Sequence, residues 1–214
     1  MICAEEIGYE YEMEENTSIE RIRNRHSDGI ILWIKGSGRS PEGKSGKYRC
    51  VLEYKGHTKY IEKDLPDATA NQAMLLGAAD AMECVNKPVR IFLVTPVQLG
   101  FVGGFKGKGV NADLVQELCK AIKAKRCQLT EVQYYNGADE IKKFVYSCNP
   151  DKSAMAHLEK KQEEKKQYIN AYKAKIYEEC LEKVVRVLTS YGVANSLLDE
   201  VRNIGKEDYE NAGL

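Results

Sequence analysis

Apolar and polar positions along this chain follow two rhythms, one suited to strands and one to helices. Gly29 opens an unbroken apolar run, Ile30-Ile31-Leu32-Trp33-Ile34, which predicts a buried strand. Gly36 to Gly43 reads as a loop from its composition. Tyr48 to Tyr54 alternates as a second strand. Lys55-Gly56-His57 turns tightly into a third, Thr58 to Lys63, so three strands follow in meander order. Thr69 or Asn71 then starts a helix carrying Ala73, Leu75, Leu76, Ala79, Met82 and Cys84, small enough to pack closely on a sheet. Val89 to Thr95 predicts a fourth strand, Val97 to Val102 a short helix, and Gly103 to Gly109 a flexible basic loop. Asn111 caps a helix with Leu114, Val115, Leu118 and Ile122 on one face. Leu129 to Tyr135 alternates as a fifth strand, and Ala138 to Val145 forms the next helix.

The two ends of the chain have a different texture. Ahead of the strands, Thr17-Ser18-Ile19-Glu20 fits a capping box, so a short helix is predicted from about Ser18 to Arg25. Residues 5–15 before it are acidic and read as a disordered or loosely docked arm. After the strands, residues 153–192 form a long helix, polar all round from Glu159 to Gln167. From Ile169 an apolar stripe begins, through Tyr172, Ile176, Cys180, Val184, Val187 and Tyr191, and Gly192 ends it. Tyr168, Tyr172, Tyr177 and Tyr191 read either as core or as a surface for a partner helix. Asn195 or Ser196 caps a second helix with Leu197, Leu198, Val201 and Ile204, completing a helical hairpin. The expected organisation is an acidic N-terminal arm (1–28), a mixed α/β domain (29–150) and a C-terminal helical extension (151–214).

Charge sharpens this division. The 214 residues have no net charge, but the three segments carry −5, +6 and −1. A basic middle suits a polyanionic partner. The seven cysteines are odd in number and scattered, with no C-x-x-C, and the three histidines are dispersed. That pattern predicts neither a zinc site nor a disulfide framework; mostly buried thiols in a reducing cytoplasm fit it better. No metal or cofactor is expected. No N-terminal leader pattern and no apolar stretch of about 20 residues is found, so a cytoplasmic protein without membrane contact is expected.

Six blocks, in order and near the right spacing, resemble the ribonuclease H family. Ile31-Leu32-Trp33-Ile34-Lys35-Gly36-Ser37 is similar to the family's opening strand, which ends in T-D-G-S. Val51-Leu52-Glu53-Tyr54-Lys55-Gly56 resembles its second strand. Thr69-Ala70-Asn71-Gln72-Ala73-Met74-Leu75-Leu76 resembles T-N-N-R-M-E-L-M, and Leu93-Val94-Thr95-Pro96-Val97-Gln98 resembles S-T-D-S-Q. Asn111 to Leu118 resembles N-V-D-L-W-Q-R-L, and Asp139-Glu140-Ile141 resembles the closing D-E-L. The resemblance implies a ribonuclease H-like mixed five-stranded sheet with flanking helices, here followed by the helical hairpin.

It also implies a site. The family cuts the RNA strand of an RNA/DNA hybrid with two Mg²⁺ ions held about 3.5–4 Å apart by carboxylates. The positions that carry those acids read Lys35, Met74, Pro96 and Asp139 here. Asp80 and Glu83 cannot stand in for Met74, because helical spacing turns them away from it. The chain is therefore expected not to be a nuclease. What the resemblance leaves is binding of an RNA/DNA hybrid or double-stranded RNA. Asn71 and Gln98 match amides that touch the minor groove, Thr69 and Lys55 match a phosphate clamp, and Ser37 matches the loop after the first acid. Lys106 and Lys108 add a basic glycine loop.

Plainer readings stand beside each of these. Lys35 is either a fixed ammonium pairing with Asp139 or a solvated lysine at a strand end. Thr69 and Asn71 are ordinary helix-cap residues as readily as ligands. Gln98 reads equally as a surface amide, and the Lys106/Lys108 loop as solvated chain. The rival for the whole protein is a protein-interaction or inhibitor module of a phage or mobile element, using the fold as a scaffold and the C-terminal helices for a partner or a homodimer.

Overall fold

The computed structural model describes residues 1–38 and 45–211, with side chains for 1–38, 45–151 and 159–203. Arg39 to Gly43 of the expected glycine loop, and the side chains of His157 and Ile204, lie outside the described residues. The chain divides into two compact units, Met1–Lys152 and Ser153–Leu214.

The first unit is built on a mixed sheet of six strands: β1 (Glu10–Glu14), β2 (Ile30–Ser37), β3 (Gly46–Tyr54), β4 (His57–Leu65), β5 (Arg90–Thr95) and β6 (Gln128–Tyr134). Their order is β1-β6-β5-β2-β3-β4, with β2, β3 and β4 antiparallel and β1, β6, β5 and β2 parallel. This is the ribonuclease H-like architecture, with one strand more than expected. The extra strand lies in the acidic stretch read above as a loose arm. Glu10 to Glu14 instead pair with Thr130 to Tyr134, and Ile2 and Ile7 are buried in the core. Alternation explains the misreading: one side of this edge strand faces α1, and its acids disguise a strand pattern. Charge on an exposed edge also discourages pairing with another chain.

Helices cover both faces. On one side, α2 (Ala70–Met82) and α4 (Ala112–Ala124) pack over Leu32, Ile34, Leu75, Ala78, Leu93, Leu118 and Leu129. On the other, α1 (Ile19–Arg25) and α5 (Ala138–Ser147) cover Ile31, Trp33, Val51, Phe92, Val94 and Val132. Trp33 is fully buried, and its indole N–H donates to Glu53 at 2.9 Å; Glu53 also takes Arg23 of α1 at 2.8 Å. That satisfied polar handle ties α1 to the sheet. Lys55 (φ 49°) and Gly56 (φ 79°) form the left-handed pair of a tight hairpin turn, as the spacing predicted.

The short helix predicted at Val97 to Val102 shifts to α3 (Phe101–Gly104). Thr95 Oγ1 donates to the Val97 carbonyl at 2.7 Å, and the Leu99 N–H donates to the buried Glu131 at 2.7 Å. These bonds hold residues 97–99 in a turn, and α3 takes the first residues of the expected basic loop. The cysteines are also more varied than expected: Cys50, Cys119 and Cys127 are buried, Cys84 and Cys148 half-buried, and Cys3 and Cys180 exposed.

The second unit is the expected hairpin of α6 (Lys152–Ser190) and α7 (Asn195–Asn211). Its inner face is not the predicted stripe. Val185 and Leu198 are its buried residues among those described, with Ala174, Tyr177, Leu181 and Leu188 half-buried around them. Tyr168, Tyr172, Ile176, Val184, Val187 and Tyr191 are exposed, so of the four tyrosines read as core or partner surface Tyr177 alone is half-buried. Two apolar rows run along this helix, and the less exposed one is not the row the sequence predicted. No helix among the described residues is long and apolar enough to cross a membrane.

Candidate nucleic-acid interface

Sheet register builds the candidate site. Trp33 of β2 is level with Val94 of β5, so Lys35 and Pro96 follow two residues on, at the same end of the sheet. Met74 reaches that end from α2. A side chain at Gly36 would collide with the Ala70 carbonyl and stand 2.9 Å from Met74 Cγ, so only glycine lets α2 approach β2 this closely. Lys35 alternates with Ile31 and Trp33 and shares their face, which α5 covers. Asp139 lies in the first turn of α5. Register brings Lys35 and Pro96 to one end of the sheet, with Lys35 on the face that holds Asp139, while Met74 is buried on the opposite face, under α2.

The chemistry of the cluster is cationic. Lys35 is half-buried, and its ammonium is pushed down to about 8, first by loss of water and then by the charges of Lys142 and Arg49, against the pull of Asp139. Arg49 pairs with Lys35 across the β2–β3 ladder, and its guanidinium lies 4.8 Å from the Tyr146 ring and 2.8 Å from Glu62. Lys35 and Asp139 interact through space and form no direct ion pair among the described residues, and Lys35 is half-buried, so neither sequence reading of it, the ion pair or the solvated lysine, holds in full. Met74 is buried, Asp80 is engaged by Tyr48 and Lys63, and Pro96 has no side-chain donor. Such a set does not fit a pair of Mg²⁺ ions, which need several hard oxygen ligands and no fixed cation beside them. It fits an anion.

The other predicted ligands fall into two groups. Ser37, Thr69 and Asn71 lie at the same end of the sheet: a Cβ on Gly38 would stand 3.2 Å from the Ala70 nitrogen, so the loop after β2 rests on the start of α2. Thr69 forms a full capping box with Gln72, while Asn71 and Gln98 are exposed. Ser37 Oγ donates to the Lys47 carbonyl at 3.2 Å. Lys55 is elsewhere. It follows β3 at the end opposite Lys35, six residues beyond Arg49, or about 20 Å along the strand. Thr69 and Lys55 therefore cannot clamp one phosphate, a correction that follows from the antiparallel register. Lys106 and Lys108 are exposed on the connection between α3 and α4, where Gly107 approaches Met1.

Arg49 and Lys142 were not singled out in the sequence. Arg49 sits in an alternating strand and Lys142 in a charged helix, and only register and helix placement bring them to Lys35. Glu131 was missed as well. It is fully buried on β6, accepting the Leu99 N–H and the Tyr9 hydroxyl, the latter at 2.6 Å, and burial raises its carboxyl above the usual range. It fixes the turn carrying Val97 and Gln98.

No family model matches the chain. The chain is similar to the Ribonuclease HI of Shewanella oneidensis (strain MR-1), 27% identical over 142 residues that cover 56% of this chain and 89% of that relative. With the sheet order and flanking helices already described, that similarity supports a ribonuclease H-like relationship.

Proposed function

We propose that the chain binds nucleic acid, an RNA/DNA hybrid or double-stranded RNA, without metal-dependent cleavage. The observation that carries this reading is the meeting of Lys35, Arg49 and Lys142 beside Asp139, with Arg49 also paired to Glu62. Three cations take a phosphodiester where metal-bound phosphate chemistry needs acids. A phosphate oxygen at Lys35 would restore the ammonium that burial weakens. Asn71 and Gln98 are exposed and would supply amides for 2′-hydroxyls in a wide, shallow groove. The basic balance of residues 29–150 supports the same partner. A reducing, cytoplasmic compartment suits the seven unpaired cysteines.

The test is fluorescence anisotropy of labelled hybrid and double-stranded RNA at low and physiological salt, beside a gel assay with Mg²⁺. Binding should weaken steeply with salt, and Lys35→Met and Lys142→Gln should each weaken it about five- to tenfold. Absence of binding at low salt, or Mg²⁺-dependent cleavage lost in Asp139→Asn, would overturn the proposal.

A second reading has its own support. Tyr168, Tyr172, Ile176, Val184, Val187 and Tyr191 form an exposed apolar row along α6. Such a row suits a protein partner or a second copy, as an interaction or inhibitor module of a phage or mobile element would need. Sedimentation equilibrium of the intact chain and of Tyr172→Glu tests it: a dimer abolished by the substitution favours a second copy.

A further inference from the structure

The sequence scatters its histidines, yet the fold joins one of them to two carboxylates at the β1 edge, three strands away from Lys35. Glu12 and Glu14 are two apart on β1, level with Val132 and Tyr134, and so face the side that α1 covers. His26 caps the end of α1, its N–H donating to the Ile22 carbonyl at 3.0 Å. Its ring rests 4.2 Å from that of Phe92 and is 97% buried. Nε2 has no hydrogen-bond partner among the described residues; it looks toward Glu12 Oε2 at 3.6 Å. One oxygen from each glutamate and one imidazole nitrogen lie within 4.8 Å of one another.

We propose that Glu12, Glu14 and His26 bind a divalent first-row transition ion, Zn²⁺, completed by water, which ties the edge strand β1 to the end of α1. One imidazole nitrogen and two carboxylate oxygens are a donor set this ion accepts, at about 2.0–2.2 Å with ligands about 3.4 Å apart. The triad therefore closes by about an ångström around the ion. Arg25 is the competing cation. It pairs with Glu14 and its side chain is 63% exposed, so it can turn into solvent as the ion enters. Mg²⁺ is a poor rival, because it prefers oxygen ligands in octahedral geometry.

Isothermal titration of the intact chain with Zn²⁺, with and without excess Mg²⁺, tests the site. Co²⁺ spectra show whether the bound ion has thiolate ligands. One equivalent of Zn²⁺ should bind, raise the melting temperature and resist Mg²⁺. Glu12→Gln and His26→Gln should each weaken binding at least tenfold, and Arg25→Gln should tighten it several-fold. Glu12 is partly exposed, so its variant stays informative should the His26 variant fail to fold. Absence of binding, unchanged affinity in Glu12→Gln, displacement by Mg²⁺, or a thiolate charge-transfer band from Co²⁺ would each overturn the proposal.

Discussion

Lys35→Met separates stability from binding at one residue. Lys35 has an ordinary value of 10.5 when unfolded and about 8 when folded, so the folded state disfavours its charge. A difference of that size corresponds to about 3 kcal/mol for a fully buried group. Lys35 keeps partial access to water, and screening reduces this to roughly 1–2 kcal/mol. The penalty is fully present below pH 8, where the ammonium is charged in both states. It fades as pH rises from about 8 toward 10.5, where only the folded lysine has lost its proton. Methionine keeps the aliphatic stem and removes the charge. Urea unfolding at pH 7 should therefore show the variant ~1–2 kcal/mol more stable, with the advantage shrinking by pH 10. Hybrid affinity should fall in the same variant. A variant destabilised at pH 7, or a stability difference independent of pH, would refute the argument that a charge is held there against its solvation.

Other substitutions test the surroundings. Gly36→Ala forces a methyl into the Ala70 carbonyl and against Met74, and should cost roughly 2–3 kcal/mol in chemical denaturation. Thr69→Ala removes a capping box and should cost about 1 kcal/mol, whereas exposed Asn71→Ala should leave stability within about 0.5 kcal/mol and weaken hybrid binding in anisotropy. Glu131→Gln keeps an acceptor for the Leu99 N–H and removes the buried charge, while its NH2 replaces the oxygen facing Tyr9, whose hydroxyl then accepts. Because the folded carboxyl is raised, its charge lowers stability as pH rises through the carboxylate range; the glutamine variant should gain on the parent over that interval, measured by thermal melts at several pH values.

Strands buried on both faces were the most legible part of the chain. Ile30 to Ile34 and Val89 to Thr95 need no partner to be recognised, since few other structures bury five apolar residues in a row. β1 was illegible because its alternation is written in glutamates and tyrosines, and only its pairing with β6 reveals it. The hairpin shows a different ambiguity. α6 carries two apolar rows, and sequence periodicity cannot say which one meets α7. At the candidate site, Lys35 and Asp139 do approach each other, whereas Met74 is buried on the other face of the sheet. Arg49 and Lys142, which set its charge, come from elements where a basic residue is unremarkable. The Thr69 and Lys55 pairing failed for a related reason, since matching residues one at a time carries no information about which end of a strand each occupies.

The sign of that charge also decides what restoring acids would accomplish. Lys35→Asp, Met74→Glu and Pro96→Asp together would return carboxylates to every position the resemblance assigns, beside Asp139. Arg49 and Lys142 would remain. At an effective dielectric near 20, a unit charge about 7 Å from a divalent ion costs ~5 kcal/mol, and each new carboxylate can pair with a resident cation instead. Met74 is buried against Gly36, so a glutamate there would also lose its water and resist ionisation. The triple variant should therefore show no Mg²⁺-dependent cleavage of a hybrid above the parent's in a gel assay. Cleavage in the triple variant that disappears with Asp139→Asn would mean that missing ligands, rather than the cations around them, were the whole obstacle.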